Sequence, residues 1–229
     1  MDAFKLDDNK PKITGKQLTS FASNNNILEI NHEPIEFINS MVYPYTRDYQ
    51  ELTRPIKIAN IGSGKVEKII TMNNYEIHNF DYVIDGTDIM TSLFNYDQCS
   101  FDAVTSTRLF EHIPIKDMIE TLYACYSVLR PNGLIFIAVP DIDHMGKLFG
   151  SLDAKSDWFQ RYNILNSIIY HQVTDKNGVL VDSHKTVWNS TIMQEFLEFE
   201  DNFTDIQIAT PIRISNQNCH VLGIGTKNP

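Results

Sequence analysis

A glycine pair stands where the backbone can approach a ligand. Ile56–Ile61 (IKIANI) reads as a short strand and runs straight into Gly62-Ser63-Gly64. Glycine turns sharply and brings no Cβ between backbone and ligand. A helix starting after such a turn offers free N–H groups. Acids follow in succession: Glu76, Asp85 and Asp88, around two short strand candidates, Tyr75–Ile77 and Tyr82–Ile84. A charged carboxylate is a strong bidentate acceptor. The dinucleotide fingerprint G-x-G-x-x-G is incomplete, because Glu67 stands at its third small position and would face a pyrophosphate with a carboxylate. Further along, His112, Asp141, His144, His171 and His184 fall on segments that read as loops after strands. Histidine is the side chain best suited to move a proton near neutral pH.

Those residues need a frame, and the pattern predicts one. Lys65–Met72 reads as a short helix and Phe101–Thr105 as a strand. Ile115–Leu129 carries Met118, Ile119, Leu122, Cys125, Tyr126 and Leu129 at helical spacing. Pro131-Asn132-Gly133 stops it, and Leu134–Val139 is a continuous apolar strand of the kind buried on both faces of a parallel sheet. Residues 141–175 are rich in aromatics, His and Asp, and read as an insertion over the carboxyl edge of the sheet. Residues 188–200 read as a helix opened by Asn189 or Ser190, and Asp205–Ala209 with His220–Gly225 as a closing strand pair. Residues 1–20 are a polar arm, while 21–52 place Ile27, Ile30, Ile35, Phe37 and Ile38 at helical spacing. Strands alternating with helices mean a doubly wound α/β domain. The expected division is a helical N-terminal arm and cap over 1–50 and the α/β domain over 51–229, with 141–187 as its lid.

The run Ile56–Gly64 resembles the first motif of class I S-adenosylmethionine (SAM)-dependent methyltransferases. Ser100–Val104, Leu109-Phe110-Glu111-His112-Ile113-Pro114, Val128–Leu134 and Val139-Pro140-Asp141 match that family in order and spacing. The resemblance is good over residues 55–145 and weaker over 180–225, where His184-Lys185 and Trp188 precede a helix and two strands. It is greatest toward a compact subgroup, with an abbreviated second βα unit, found among enzymes that modify sugars and surface glycans. It implies a mostly parallel, seven-stranded Rossmann-like sheet ending in an antiparallel pair, and SAM as cofactor. It further implies that Asn60, Gly62, Ser63, Gly64 and Thr107 lie along the methionine portion. Glu76 would take the ribose, Asp85 or Asp88 the adenine amino group, and Ile77, Ile89 or Met90 the adenine face. Asn60 departs from the family, which usually carries an acid there, and Ser63 stands where Cys is frequent.

The resemblance places the methyl acceptor beside His112, Asp141, His144 and His184, the four candidates for its base. Phe149, Trp158, Phe159, Tyr162 and Tyr170 suit a sugar-stacking surface, a lid, a local subcore or a homodimer contact. Asp141-x-Asp143-His144 contains hard ligands, but adjacent turn acids are common and no metal site is expected. The acceptor class is a small molecule, a sugar or glycan precursor. A non-catalytic SAM-fold binding protein and an NAD-dependent oxidoreductase are the competing readings.

Composition narrows the field. The 229 residues carry a formal charge of -10 and a pI near 5.1, with Lys and Arg scattered. Nucleic-acid binders show a basic patch, so such a substrate is not expected. Cys99, Cys125 and Cys219 are widely spaced and odd in number, which suits a reducing compartment rather than a disulfide frame or zinc knuckle. The polar N-terminus and the lack of a long apolar run make the cytoplasm the expected location.

Overall fold

A computed structural model describes residues 28–30, 54–63, 68–72, 74–81, 89–151, 162, 173–174, 180–214 and 217–229. Its strands are β1 (Leu28–Ile30), β2 (Ile56–Ile61), β3 (Ile69–Met72), β4 (Tyr75–Phe80), β5 (Phe101–Thr107), β6 (Leu129–Pro140), β7 (Val173–Thr174), β8 (Leu180–Asp182), β9 (Phe203–Ile214) and β10 (Gln217–Lys227). Its helices are α1 (Ile89–Phe94), α2 (Ile115–Val128), α3 (Ile142–Ser151) and α4 (Ser190–Glu198). The main sheet runs β1-β9-β10-β6-β5-β2-β4-β3. Its centre, β6-β5-β2-β4, is parallel, and β10 enters antiparallel between β6 and β9. The expected seven strands and closing antiparallel pair are present, with three-residue β1 added parallel to β9 at one edge.

Burial explains the strand composition. Ile58, Ile77, Ala103, Phe136 and Leu222 line one face, while Ile61, Phe80, Val104, Ile137 and Val221 line the other. The second face receives α2 through Met118, Leu122, Cys125 and Val128, and α4 through Met193, Phe196 and Leu197. Each such side chain stabilises the fold by about 1.5–3 kcal/mol when fully buried. α4 sits close because position 223 is glycine, where a Cβ would lie 2.6 Å from the Met193 side chain. Asn189 opens α4, its Oδ1 accepting from the Ile192 amide at 2.9 Å. Cys125 is packing material, since burial pushes its thiol up to about 12.

The end of α2 is closed from a distance. Lys227 Nζ donates to the carbonyls of Tyr126 (2.8 Å) and Leu129 (2.7 Å) and lies 4.2 Å from the Tyr126 ring centroid. A cation there satisfies orphan carbonyls and complements the helix dipole. Lys227→Met keeps the apolar stem and removes those bonds. It should cost about 2 kcal/mol, which thermal melting reads as a drop of roughly 4–8 °C.

Three expectations are corrected. Ile69–Met72 is not the end of a helix but a strand, antiparallel to β4. The β-branched run Ile-Ile-Thr favours an extended backbone, and the link from β2 is too short for a crossover helix. The strand at Tyr75 does not end at Ile77. It continues to Phe80, because Asn60↔Asn79 and Ile61↔Phe80 extend its pairing with β2. Within the expected helical cap, Leu28–Ile30 forms β1, where pairing with the β9 edge overrides helical spacing. Tyr82–Ile84 and the rest of the cap lie outside the described residues.

Candidate active site

The connections set a topological switch point. From β2 the chain goes through β3 to β4 on one side, then returns to β5 and β6 on the other. Ligands of open α/β sheets bind outside the carboxyl ends of the strands at such a point. Gly62 stands there with φ +73°, its N–H donating to Phe80 O at 2.8 Å, and the Ser63 N–H reaches the same carbonyl at 3.3 Å. A Cβ at Gly62 would lie 2.8 Å from Leu109 Cβ, so both conformation and space require glycine. Asp81 follows Phe80 at the same edge, partly exposed. Beneath the turn, Asn60 donates to Asn79 Oδ1 (2.7 Å) and accepts from the Thr105 hydroxyl (3.1 Å), a buried layer across β4, β2 and β5.

Leu109 leads from this turn into a 3₁₀ turn, Phe110–His112. The 183–188 segment is strapped onto it. Lys185 and Thr186 amides donate to Glu111 O at 2.7 and 3.2 Å, Lys185 Nζ to His112 O at 2.8 Å, and the Thr186 hydroxyl to Phe110 O at 3.2 Å. Trp188, 1% exposed, fixes the strap by donating from Nε1 to the Thr186 hydroxyl at 3.0 Å. The result joins residues far apart in sequence. The His112 and His184 rings meet edge to face at 4.9 Å, and His112 Nε2 lies 3.9 Å from Glu111 Oε1. Glu111, Pro140, Met145, His184, Thr186 and Trp188 line a small cleft beside the carboxyl end of β6. His112 Nδ1 lies 3.3 Å from Ser183 O. A carbonyl only accepts, so Nδ1 carries the proton in that contact, and Nε2 is the nitrogen on the Glu111 side.

Residues 60–174 match a methyltransferase domain family, 115 of the 229 residues. The chain belongs to that family. Among solved structures, a SAM-dependent methyltransferase from Methanosarcina mazei shares the fold at 13% identity, with 81% of this chain and 98% of that one covered and a TM-score of 0.50. A SAM-dependent methyltransferase from Archaeoglobus fulgidus is similar at 16% identity over 82% of this chain and 93% of that one, with a TM-score of 0.48. No curated protein matches the sequence. The cofactor of this methyltransferase domain is SAM. The residues present suit it at the glycine turn, whose Cβ-free approach is enforced by Leu109, and at Asp81, a carboxylate on the carboxyl edge of β4.

Against this frame the expected site residues divide. Gly62, Ser63 and Thr107 lie at the carboxyl edge, and His112 and His184 are brought together. Glu76 is misplaced for a ribose. It is the second residue of β4, opposite Lys57 near the amino end of β2, with Lys57 Nζ at 3.1 Å and His78 Nε2 at 2.5 Å. The hydrogen bonds from His78 and then Lys57 hold its carboxyl below the ordinary range. Ile77 is fully buried in the sheet core, opposite Ile58, and does not face a ligand crevice. Asn60 stands at the expected position, but both ends of its amide are engaged within the sheet.

Asp141 caps the start of α3. Its Oδ1 accepts from the amides of Asp143 (3.0 Å) and His144 (3.4 Å), and its Oδ2 from the Thr210 hydroxyl. The same cap consumes the Asp141-x-Asp143-His144 ligand pattern. His144 stands in the first turn of α3, half-buried. Gly64, Asp85, Asp88, His171, Trp158, Phe159 and Tyr170 lie outside the described residues. Sequence reasoning missed Asp81 and Glu111. Asp81 is found only when β4 is given its full length, and Glu111 looks like any acid of a turn until the strap is seen.

Proposed function

We propose that this domain methylates a hydroxyl or amine of a small molecule, a sugar or glycan precursor, in the cleft under the 183–188 strap. The observation that carries the reading is the Glu111–His112–His184 trio, of which Glu111 and His184 line the cleft, next to the Leu109 that packs on the Gly62 turn. SAM supplies a methyl carbon bound to a sulfonium sulfur, open to in-line displacement by an acceptor lone pair. The chain's part is to hold the acceptor and remove its proton. The trio is the place where that proton is lost. Trp188 and Met145 give the cleft an apolar lining. Residues 141–187 are assigned as the lid and 1–50 as the cap, and the free Cys99 and Cys125 support a reducing, cytoplasmic setting.

Asp81 is assigned to the ribose hydroxyls in place of Glu76. Asp81→Asn should weaken binding of the product, S-adenosylhomocysteine (SAH), by about 10–100-fold, the worth of a charged hydrogen bond of roughly 1.5–3 kcal/mol. Calorimetric titration reads this directly, and Glu76→Gln in the same assay should change little. If Glu76→Gln weakens SAH and Asp81→Asn does not, the assignment is reversed. A screen of sugar and amine acceptors for SAH release tests the activity itself. The second reading, a non-catalytic SAM-binding protein, rests on Asn60, which gives the cofactor ammonium an engaged amide where the family has an acid. SAH binding without turnover on any acceptor would favour it.

A further inference from the structure

We propose that Glu111, His112 and His184 form a divalent-cation site of the zinc, cobalt or iron class, open toward the cleft. The inference rests on reading that cleft as the acceptor pocket. One ligand atom from each residue lies within 4.8 Å of the other two. Tetrahedral bonds of ~2.0–2.2 Å set ligand atoms about 3.4 Å apart, so small side-chain rotations close the set. One carboxylate oxygen and two imidazole nitrogens suit zinc, cobalt or iron better than magnesium or calcium, which prefer all-oxygen shells.

The surroundings supply what such a site needs. The 3.3 Å contact from His112 Nδ1 to the Ser183 carbonyl orients the ring and leaves Nε2 as the ligand atom. Metal-bound histidines ordinarily make this second contact. The amides of Lys185 and Thr186 hold the neighbour of His184 against Glu111 O, so the ligands from two distant segments share one rigid frame. The Glu111 side chain is 2% exposed, and a buried carboxylate is costly unless a positive charge stands by it. Three protein ligands with a fourth position open are the arrangement of catalytic rather than structural zinc. Glu111 and His184 also line the cleft, from which a fourth ligand would enter. An acceptor hydroxyl bound there would give its proton to water near neutral pH, as bound water does on such a cation. With the cation in place, both histidine lone pairs are ligands, and the trio removes the proton through the metal.

The test uses the full chain, stripped with a chelator and dialysed, then titrated with Co²⁺ and Zn²⁺. The expected result is one equivalent of Co²⁺ bound with visible d–d absorption, displaced by Zn²⁺. Glu111→Gln and His184→Ala should each weaken binding by at least tenfold, with unchanged far-UV circular dichroism; Cys99→Ser, which removes the exposed thiol, should bind as wild type does. Wild type that binds less than a tenth of an equivalent, or a Glu111→Gln chain that binds as tightly as wild type, overturns the site. SAH titration in parallel separates the two readings. If SAH binds and His184→Ala abolishes turnover while no metal binds, methyl transfer stands and the cation falls. If metal binds at the trio and SAH does not bind, the cation stands and methyl transfer falls.

Discussion

Replacing His184 by alanine should lower turnover by about 10²–10⁴-fold while the dissociation constant for SAH stays within about threefold of wild type. The separation follows from the geometry. His184 projects from the strap onto the cleft wall, packed edge to face on His112 at 4.9 Å. The strap itself is held by the backbone amides of Lys185 and Thr186, the Lys185 ammonium and the Thr186 hydroxyl, none of which the substitution removes. The cofactor side, at Gly62 and Asp81, belongs to β2 and β4. A positioned proton-transfer group or a metal ligand acts on the acceptor, so its loss appears in kcat rather than in cofactor affinity. Single-turnover SAH release measures the first quantity and calorimetry the second. Unchanged turnover would remove His184 from the reaction and return the search to His144. A parallel loss of SAH binding would mean that the strap, not the imidazole, was the thing disturbed.

What was legible in the sequence follows from locality. The parallel core was readable because Leu134–Val139 is apolar on both faces, and only the buried centre of an α/β sheet demands that. The glycine turn was readable because Gly62 must accept a positive φ whatever surrounds it. The reach of β4 was not, and it decides whether Glu76 or Asp81 stands at the carboxyl edge. That reach is fixed by pairing with β2, with Asn60 opposite Asn79, and leaves no periodic mark in a strand containing His78 and Asn79. Asp141 misled for the opposite reason: an acid after an apolar strand has the same appearance as cap or as catalyst, and only the amides of Asp143 and His144 decide. The trio was half visible. His112 and His184 were each candidates, but they lie 72 positions apart, and no local signal tells that the 183–188 strap closes on the Phe110–His112 turn.

The other large effect lies at the opposite end of the sheet, where charge is concentrated. Asp102 opens β5 and gathers three elements. Arg54 donates to both its carboxylate oxygens at 2.7 Å, the Lys57 amide donates at 2.9 Å, and Arg130 stands 2.9 Å away. The carboxylate side chain is 12% exposed, and its arginine partners about a third. Burial alone would push this carboxyl up, but the bonds from Arg54 and Lys57 and the charges of Arg130 and Arg54 outweigh it and hold it below the ordinary carboxylate range. Asp102→Asn keeps the shape, removes the charge and leaves two guanidinium groups facing an amide. It should cost about 3 kcal/mol at neutral pH, less than a fully buried pair because the arginines reach solvent. For a chain of this size that is a drop of roughly 6–12 °C in Tm. The pH dependence identifies the cause. A carboxyl whose folded value lies below its unfolded value contributes stability above the unfolded value, and loses it as pH falls through the folded one. The stability gap between wild type and Asp102→Asn should therefore be constant from pH 7 down to about 5, then narrow below about pH 4. Urea titrations at a series of pH values measure that gap. A gap that persists undiminished in acid would assign the loss to packing or to the Lys57 amide instead of to the ion pairs.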